Sequence, residues 1–223
     1  MTTMATTGRL VSQLNDDLGD VADLVRKSLV RVEVGRQGAG SGVVLDSTGL
    51  PGALIITNAH VVSGKSGRGK GPDLRVTLNN GETYPAQLLA KDTDHDVAAL
   101  KIEAEGLVPI ELGDSQTLRP GQWVLAMGHP WGVAGAATGG IVIGSGGDLP
   151  ERPGSRDDWI AVGLSLRPGH SGGPMVDAEG RMVGLNTMMA GLDVGMAVPV
   201  QTIKEFLVKA KLWDPGPAVA EPV

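Results

Sequence analysis

The 223-residue chain has no cysteine, one tyrosine, one phenylalanine, and no apolar run approaching membrane-spanning length. Without cysteine, disulfides and thiolate metal sites leave the account, which fits a reducing compartment. With aromatic bulk almost absent, the core must be filled by aliphatic and methionine side chains. Close turns must replace ring packing, and 34 glycines supply them. The first 30 residues lack the uninterrupted apolar core of a secretory signal, because Asp16, Asp17, Asp20 and Asp23 punctuate them. A formal charge of -6 argues against a polyanionic partner. The glycine-rich basic run from Ser63 to Gly71 carries Lys65, Arg68 and Lys70 without interleaved aromatics, and lacks the spacing of a phosphate-binding loop. It reads as a surface loop, and no nucleic acid is expected as a partner.

What is present is concentrated in three islands: Thr57-Asn58-Ala59-His60-Val61-Val62, Asp94-His95-Asp96-Val97-Ala98-Ala99-Leu100 and Gly169-His170-Ser171-Gly172-Gly173-Pro174. Each lies at the edge of an apolar, strand-like run. A serine hydroxyl is a weak nucleophile at neutral pH and needs an imidazole to take its proton during attack on a carbonyl and to return it to the leaving amine. The imidazole in turn needs a carboxylate to fix its tautomer and stabilise its charged form. Ser171, His60 and Asp96 fit these roles, with Asp94 as competitor for the third. Their order along the chain is that of chymotrypsin-like serine proteases, and differs from that of subtilisins and α/β-hydrolases. The glycines beside Ser171 let the Gly169 and Ser171 amides converge on the oxygen that turns negative in the tetrahedral intermediate. No metal or cofactor is expected: His60 is assigned, and the other three histidines lack metal-ligand spacing.

Seven segments in order between about residues 25 and 210 carry a closer resemblance. They are Gly40-Ser41-Gly42-Val43-Val44, Ile56 to Val62, Asp96 to Ile102, Met127-Gly128-His129-Pro130-Trp131-Gly132, Thr138 to Val142, Pro168 to Met175, and Val183-Gly184-Leu185-Asn186-Thr187. In these the chain resembles the protease domain of the HtrA/Deg family of trypsin-fold serine proteases. The resemblance implies an all-β, double β-barrel fold and cleavage of unfolded or extended polypeptides in protein quality control, with a latent or non-catalytic peptide-binding module as the alternative. It implies Thr187 as support for the Asp96 carboxylate. It places Leu166, Met188, Met189, Met196 and Ala197 around the substrate, with small or medium apolar residues before the scissile bond. It leaves a homotrimer open, and with so few residues after Leu212 no PDZ domain is expected in this sequence. The compartment stays open as well: cytoplasmic if Met1 is the natural start, extracytoplasmic if a leader has been removed.

Two positions depart from the family pattern. His170 stands where the family usually has Asn and trypsin has Asp, so no activation cleavage is implied; it reads as an exposed loop residue, with a pH-reporting role as the alternative. His129 replaces an Asn and Trp131 takes an aromatic position, both read as loop packing.

Apolar periodicity gives a coarse map. An N-terminal segment over 1–28 holds a helix at 13–28. The protease domain spans 29–212, with strands at 29–35, 41–46, 53–57, 74–78, 84–90, 97–102 and 123–127 in a first barrel (29–127). Strands at 139–144, 159–165, 174–177, 182–188 and 194–198 make a second (128–198). A terminal helix follows at 199–212, then a flexible tail at 213–223. The run from Gly144 to Asp158 reads as a long loop near substrate.

Overall fold

Val30, Val32 and Val34 recur at every second position of β1 (Leu29–Val34) and point to one side, where all three are buried. The same alternation shapes the other strands of the computed structural model, which describes residues 2–35, 38–46, 49–63, 73–146 and 159–214. Beside β1 lie β2 (Gly38–Leu45), β3 (Ala53–Thr57), β4 (Leu74–Thr77), β5 (Thr83–Asp92) and β6 (Val97–Ile102). They close into an antiparallel barrel in the order β1-β2-β3-β6-β5-β4. A second closed barrel follows from β7 (Trp123–Gly128), β8 (Ala136–Gly146), β9 (Trp159–Gly163), β10 (Pro174–Val176), β11 (Met182–Met189) and β12 (Val194–Pro199). Its order, β7-β8-β9-β12-β11-β10, repeats that of the first. Closure leaves no sheet edge running the length of either unit.

Each barrel has its own aliphatic interior, and a third buried layer lies between them. Val43, Leu54 and Ile56 reach this layer from the first barrel, and Met127, Met182 and Leu185 from the second. Helix α1 (Thr2–Arg26) seals it at one end with Val25, whereas Val11 and Leu14 further up the helix are exposed. Helix α2 (Val200–Lys209) adds Ile203, Phe206 and Leu207. No helix among the described residues is long and apolar enough to cross a membrane.

Several sequence expectations need correction. The run at 123–127 belongs to the second barrel: β7 pairs with β8 from Trp123↔Ile141 to Gly128↔Ala136 and with β10 at Met175↔Ala126. An apolar run shows that a strand forms and not which neighbour it joins. Helix α1 begins well before residue 13, because the threonine-rich sequence ahead of it carries no apolar periodicity to announce a helix. Helix α2 stops at Lys209, where the Ala210 N–H bonds to Phe206 O and Lys211 turns left-handed at φ 58°. Gly144 to Gly146 extend β8 and are not loop. The remainder of that expected loop, Lys65 to Gly71 of the basic run and the tail from 215 lie outside the described residues.

Candidate active site

His60 sits in the turn that follows β3, half-exposed at the boundary between the barrels. Asp96 ends the turn leading into β6 and holds φ at 56°, a left-handed conformation that Asp tolerates better than most residues. That twist directs the carboxylate at His60 in a two-point grip: Oδ2 lies 2.8 Å from His60 Nδ1, and Oδ1 accepts the His60 backbone N–H at 2.9 Å. From the second barrel, the Thr187 hydroxyl donates to the same Oδ2. Burial alone would raise the Asp96 pKa, but the hydrogen bonds from His60 and Thr187 outweigh it and hold the carboxyl below 3.8. Asp94 lies exposed in the turn and its N–H bonds to Asp92, so among the described residues it has no hydrogen bond to His60. Asp92 instead holds His95, through Nδ1 at 2.9 Å.

Ser171 lies in the loop between β9 and β10, and its hydroxyl donates to the Thr187 carbonyl at 3.0 Å. Among the described residues no hydrogen bond joins it to His60. The loop is tied down on all sides. Ser41 N–H in β2 bonds to Ser171 O at 2.8 Å, Gly172 N–H to Asn186 O at 2.9 Å, and Asn186 N–H to Gly173 O at 2.9 Å. Gly172 adopts φ 82°, and a β-carbon there would collide with the Ser41 carbonyl and the Thr57 hydroxyl, so only glycine fits.

Between Gly169 and Gly173 the amides divide into two sets. His170 N–H bonds to Arg167 O and Gly173 N–H to His170 O, each at 2.9 Å, and Gly172 is satisfied as described. Gly169 and Ser171, the two expected oxyanion donors, have no acceptor among the described residues. Two donors without a partner on one loop are the backbone groups that an oxyanion would require.

His170 is buried, contrary to its reading as an exposed residue. The ring folds back so that Nδ1 accepts the Arg167 N–H at 3.0 Å, leaving Nε2 buried without a partner. Burial lowers its pKa, with the Arg167 charge adding to that and the backbone contact opposing it. His129 is also buried, but Trp131 does not pack: it is 78 % exposed, at φ 54° in a short 3-10 turn.

The expected substrate-lining set separates. Leu166 and Ala197 belong to the interior of the second barrel, with Met189 packed against it, and the Leu166 N–H points at the Met189 sulfur at 3.1 Å. Met188 is exposed. Met196 faces the layer between the barrels, away from Ala197, because consecutive residues of β12 point to opposite faces. Gly195, on the Ala197 face, comes close enough to Leu166 that a β-carbon would lie 3.2 Å from it.

Sequence reasoning gave no role to Asn58 or Asn186. Asn58 Nδ2 holds the Asp96 carbonyl at 2.9 Å, and Asn186 Nδ2 donates to Met127 O and Pro174 O. Both are fully buried amides at or within apolar strands. Such residues need internal partners, and that is the signal that could have flagged them.

Residues 40–185 match the family described as the trypsin-like peptidase domain. The chain is 33 % identical over 206 residues to serine protease HTRA1 of Xenopus tropicalis and 34 % identical over 206 residues to serine protease HTRA3 of Homo sapiens. These alignments cover 86 % of this chain in both cases, and 43 % and 44 % of those relatives, so the chain spans less than half the length of the curated relatives it matches. A solved structure of the HtrA-type protease AlgW with a tripeptide superposes with a TM-score of 0.73 at 28 % identity, over 87 % of this chain and 63 % of that one. The doubled barrel and the sequence matches lead to one assignment: the chain belongs to the trypsin-like peptidases, as an HtrA/Deg-type serine protease domain.

Proposed function

We propose that this domain is a serine endopeptidase that cleaves extended or unfolded polypeptides, after small or medium apolar residues, in protein quality control. The observation that carries the reading is that Thr187 joins the two halves of the site, its hydroxyl on the Asp96 carboxylate that grips His60 and its carbonyl accepting the Ser171 hydroxyl, on a loop whose Gly169 and Ser171 amides have no acceptor among the described residues. Asp96 fixes the proton on His60 Nδ1, which leaves Nε2 as the base. Rotation of the Ser171 side chain carries its hydroxyl from the Thr187 carbonyl to that nitrogen. Attack on the peptide carbonyl then gives a tetrahedral oxyanion, received by the two loop amides. His60 returns the proton to the departing amine, and water releases the acyl group by the same steps in reverse roles.

Thr187 to Met189, beyond the pairing of β11 with β10, offer backbone for an extended peptide. The aliphatic setting of Leu166, Met189 and Ala197 favours an apolar residue before the scissile bond. Unfolded chains present such residues in extended form. The exposed Val11 and Leu14 of α1 lie on the surface through which a homotrimer would assemble.

The resting bond from Ser171 to Thr187 O is the one observation favouring a latent form. Intact-mass measurement after fluorophosphonate treatment separates the two readings. A single adduct on the wild type, absent from Ser171→Ala, is expected. A folded wild type that takes no adduct points to latency, and an adduct that survives in Ser171→Ala removes Ser171 as nucleophile.

A further inference from the structure

The Gly169 carbonyl accepts two hydrogen bonds, one from the His129 backbone N–H at 3.0 Å and one from the Ser41 hydroxyl at 2.8 Å. A serine hydroxyl has a single proton, and here it is directed to Gly169 O. The 2.9 Å contact between Ser41 Oγ and His129 Nδ1 therefore needs the imidazole as donor, which fixes the His129 tautomer with its proton on Nδ1. Ser41 is fully buried and His129 nearly so, so little water competes for these bonds. Ser41 is itself held at both ends: its N–H bonds to Ser171 O, and its carbonyl accepts the Thr57 hydroxyl at 2.6 Å.

Gly169 stands at φ 105°, a conformation without a side chain to hold it. Its N–H and C=O flank the same α-carbon. Freed from its two donors, the carbonyl could rotate, and the neighbouring N–H would lose its aim. We propose that His129 and Ser41 are positioning residues, a two-link relay from the second barrel through β2 that fixes the Gly169 carbonyl and so aims the Gly169 amide at the developing oxyanion. Burial keeps the His129 ring neutral at ordinary pH, with its pKa lowered to about 4. The inference rests on the reading of Ser171 as nucleophile.

The test compares wild type, Ser41→Ala, His129→Leu, His129→Asn and Ser171→Ala on a fluorogenic peptide amide with Val before the scissile bond. Sites are counted by exhaustive fluorophosphonate labelling, and folding is checked by thermal melts. Binding of a matching peptide boronate, which forms a tetrahedral adduct, is measured alongside. Ser41→Ala and His129→Leu are expected to lower kcat per site roughly 10- to 100-fold and to weaken boronate binding in parallel, with KM within about twofold. Asn can place an amide donor near the position of Nδ1, so His129→Asn is expected to stay within about threefold of wild type. A purely structural role would move the melting temperature and leave kcat per labelled site unchanged. Wild-type kcat per site in the folded variants overturns the relay, as does an Asn variant as damaged as the Leu variant. Each link is cut separately, so if one variant fails to fold the other decides. Persistent cleavage by Ser171→Ala overturns the nucleophile assignment, and the relay with it.

Discussion

The two barrels share one strand order but contribute to the site in different chemical forms. The first supplies functional side chains, the His60 imidazole and the Asp96 carboxylate, each fixed by hydrogen bonds with its own partner residues. The second brings two hydroxyls, those of Ser171 and Thr187, and otherwise backbone: the Thr187 carbonyl that accepts the Ser171 hydroxyl, and the Gly169 and Ser171 amides proposed to receive the oxyanion. Side-chain contributions tolerate variation in the chain that carries them. Backbone contributions depend on conformation, which explains why glycines with positive φ at 169 and 172 gather in the second half of the site.

The contrast can be broken first at the first barrel. His60→Ala or Asp96→Asn is expected to reduce kcat by about 10⁴-fold while leaving the melting temperature near that of wild type, the Asn variant because its amide favours the wrong imidazole tautomer. Peptide hydrolysis normalised to folded protein measures this, and a loss below tenfold in either variant would remove that residue from the mechanism. At the second barrel, Gly172→Ala should harm the fold itself. The added methyl meets the Ser41 carbonyl in a left-handed conformation, for a loss of order 2 kcal/mol or more in chemical denaturation. An alanine variant as stable as wild type would show that the loop has another way to reach Ser171.

Thr187 joins the halves, since its hydroxyl in the second barrel serves the carboxylate in the first. Thr187→Val should lower kcat roughly tenfold, as expected for one lost hydrogen bond to a charged group, and Thr187→Ser should restore most of it. Equal activity in the two would detach Thr187 from Asp96.

The pH dependence of stability is a smaller effect. Burial holds the pKa of both His129 and His170 below 6.5, so the unfolded chain binds these protons first. Their effect is absent above pH 6.5, and stability falls as pH drops toward about 4, where His129 itself titrates. The charged neighbours are Arg31 beside His129 and Arg167 beside His170. The Asp96 contribution is present above pH 3.8 and is lost only below it. A thermal midpoint in Ser171→Ala that stays flat between pH 6.5 and 4 would contradict this account. Smallest of all, Asp94→Asn should change peptide hydrolysis by less than about twofold, in keeping with the weak effect of exposed substitutions.

How much could be read in advance follows the same division. His60, Asp96 and Ser171 stood out in the sequence because each is a polar residue at the edge of an apolar run, Thr187 entered only through the family resemblance, and β3 and β6 match their expected bounds. The partners of β7 were not legible, since pairing is a long-range choice that a local run does not encode. Met196 was placed on the wrong face because a strand position was carried over without its alternation. The burial of His170, and the Ser41 and His129 contacts to Gly169, depend on where a carbonyl points, which side-chain identity alone does not reveal.

The layer between the barrels also has a consequence for timing. A chain emerging from synthesis presents its base and its acid long before its nucleophile, and Thr187, which links Asp96 to the second barrel, comes later still. Hydrolytic power therefore appears only when both halves are complete and docked, so a chain caught half-made is harmless to its neighbours. The reaction proposed for this site is in this way withheld from a partly built copy.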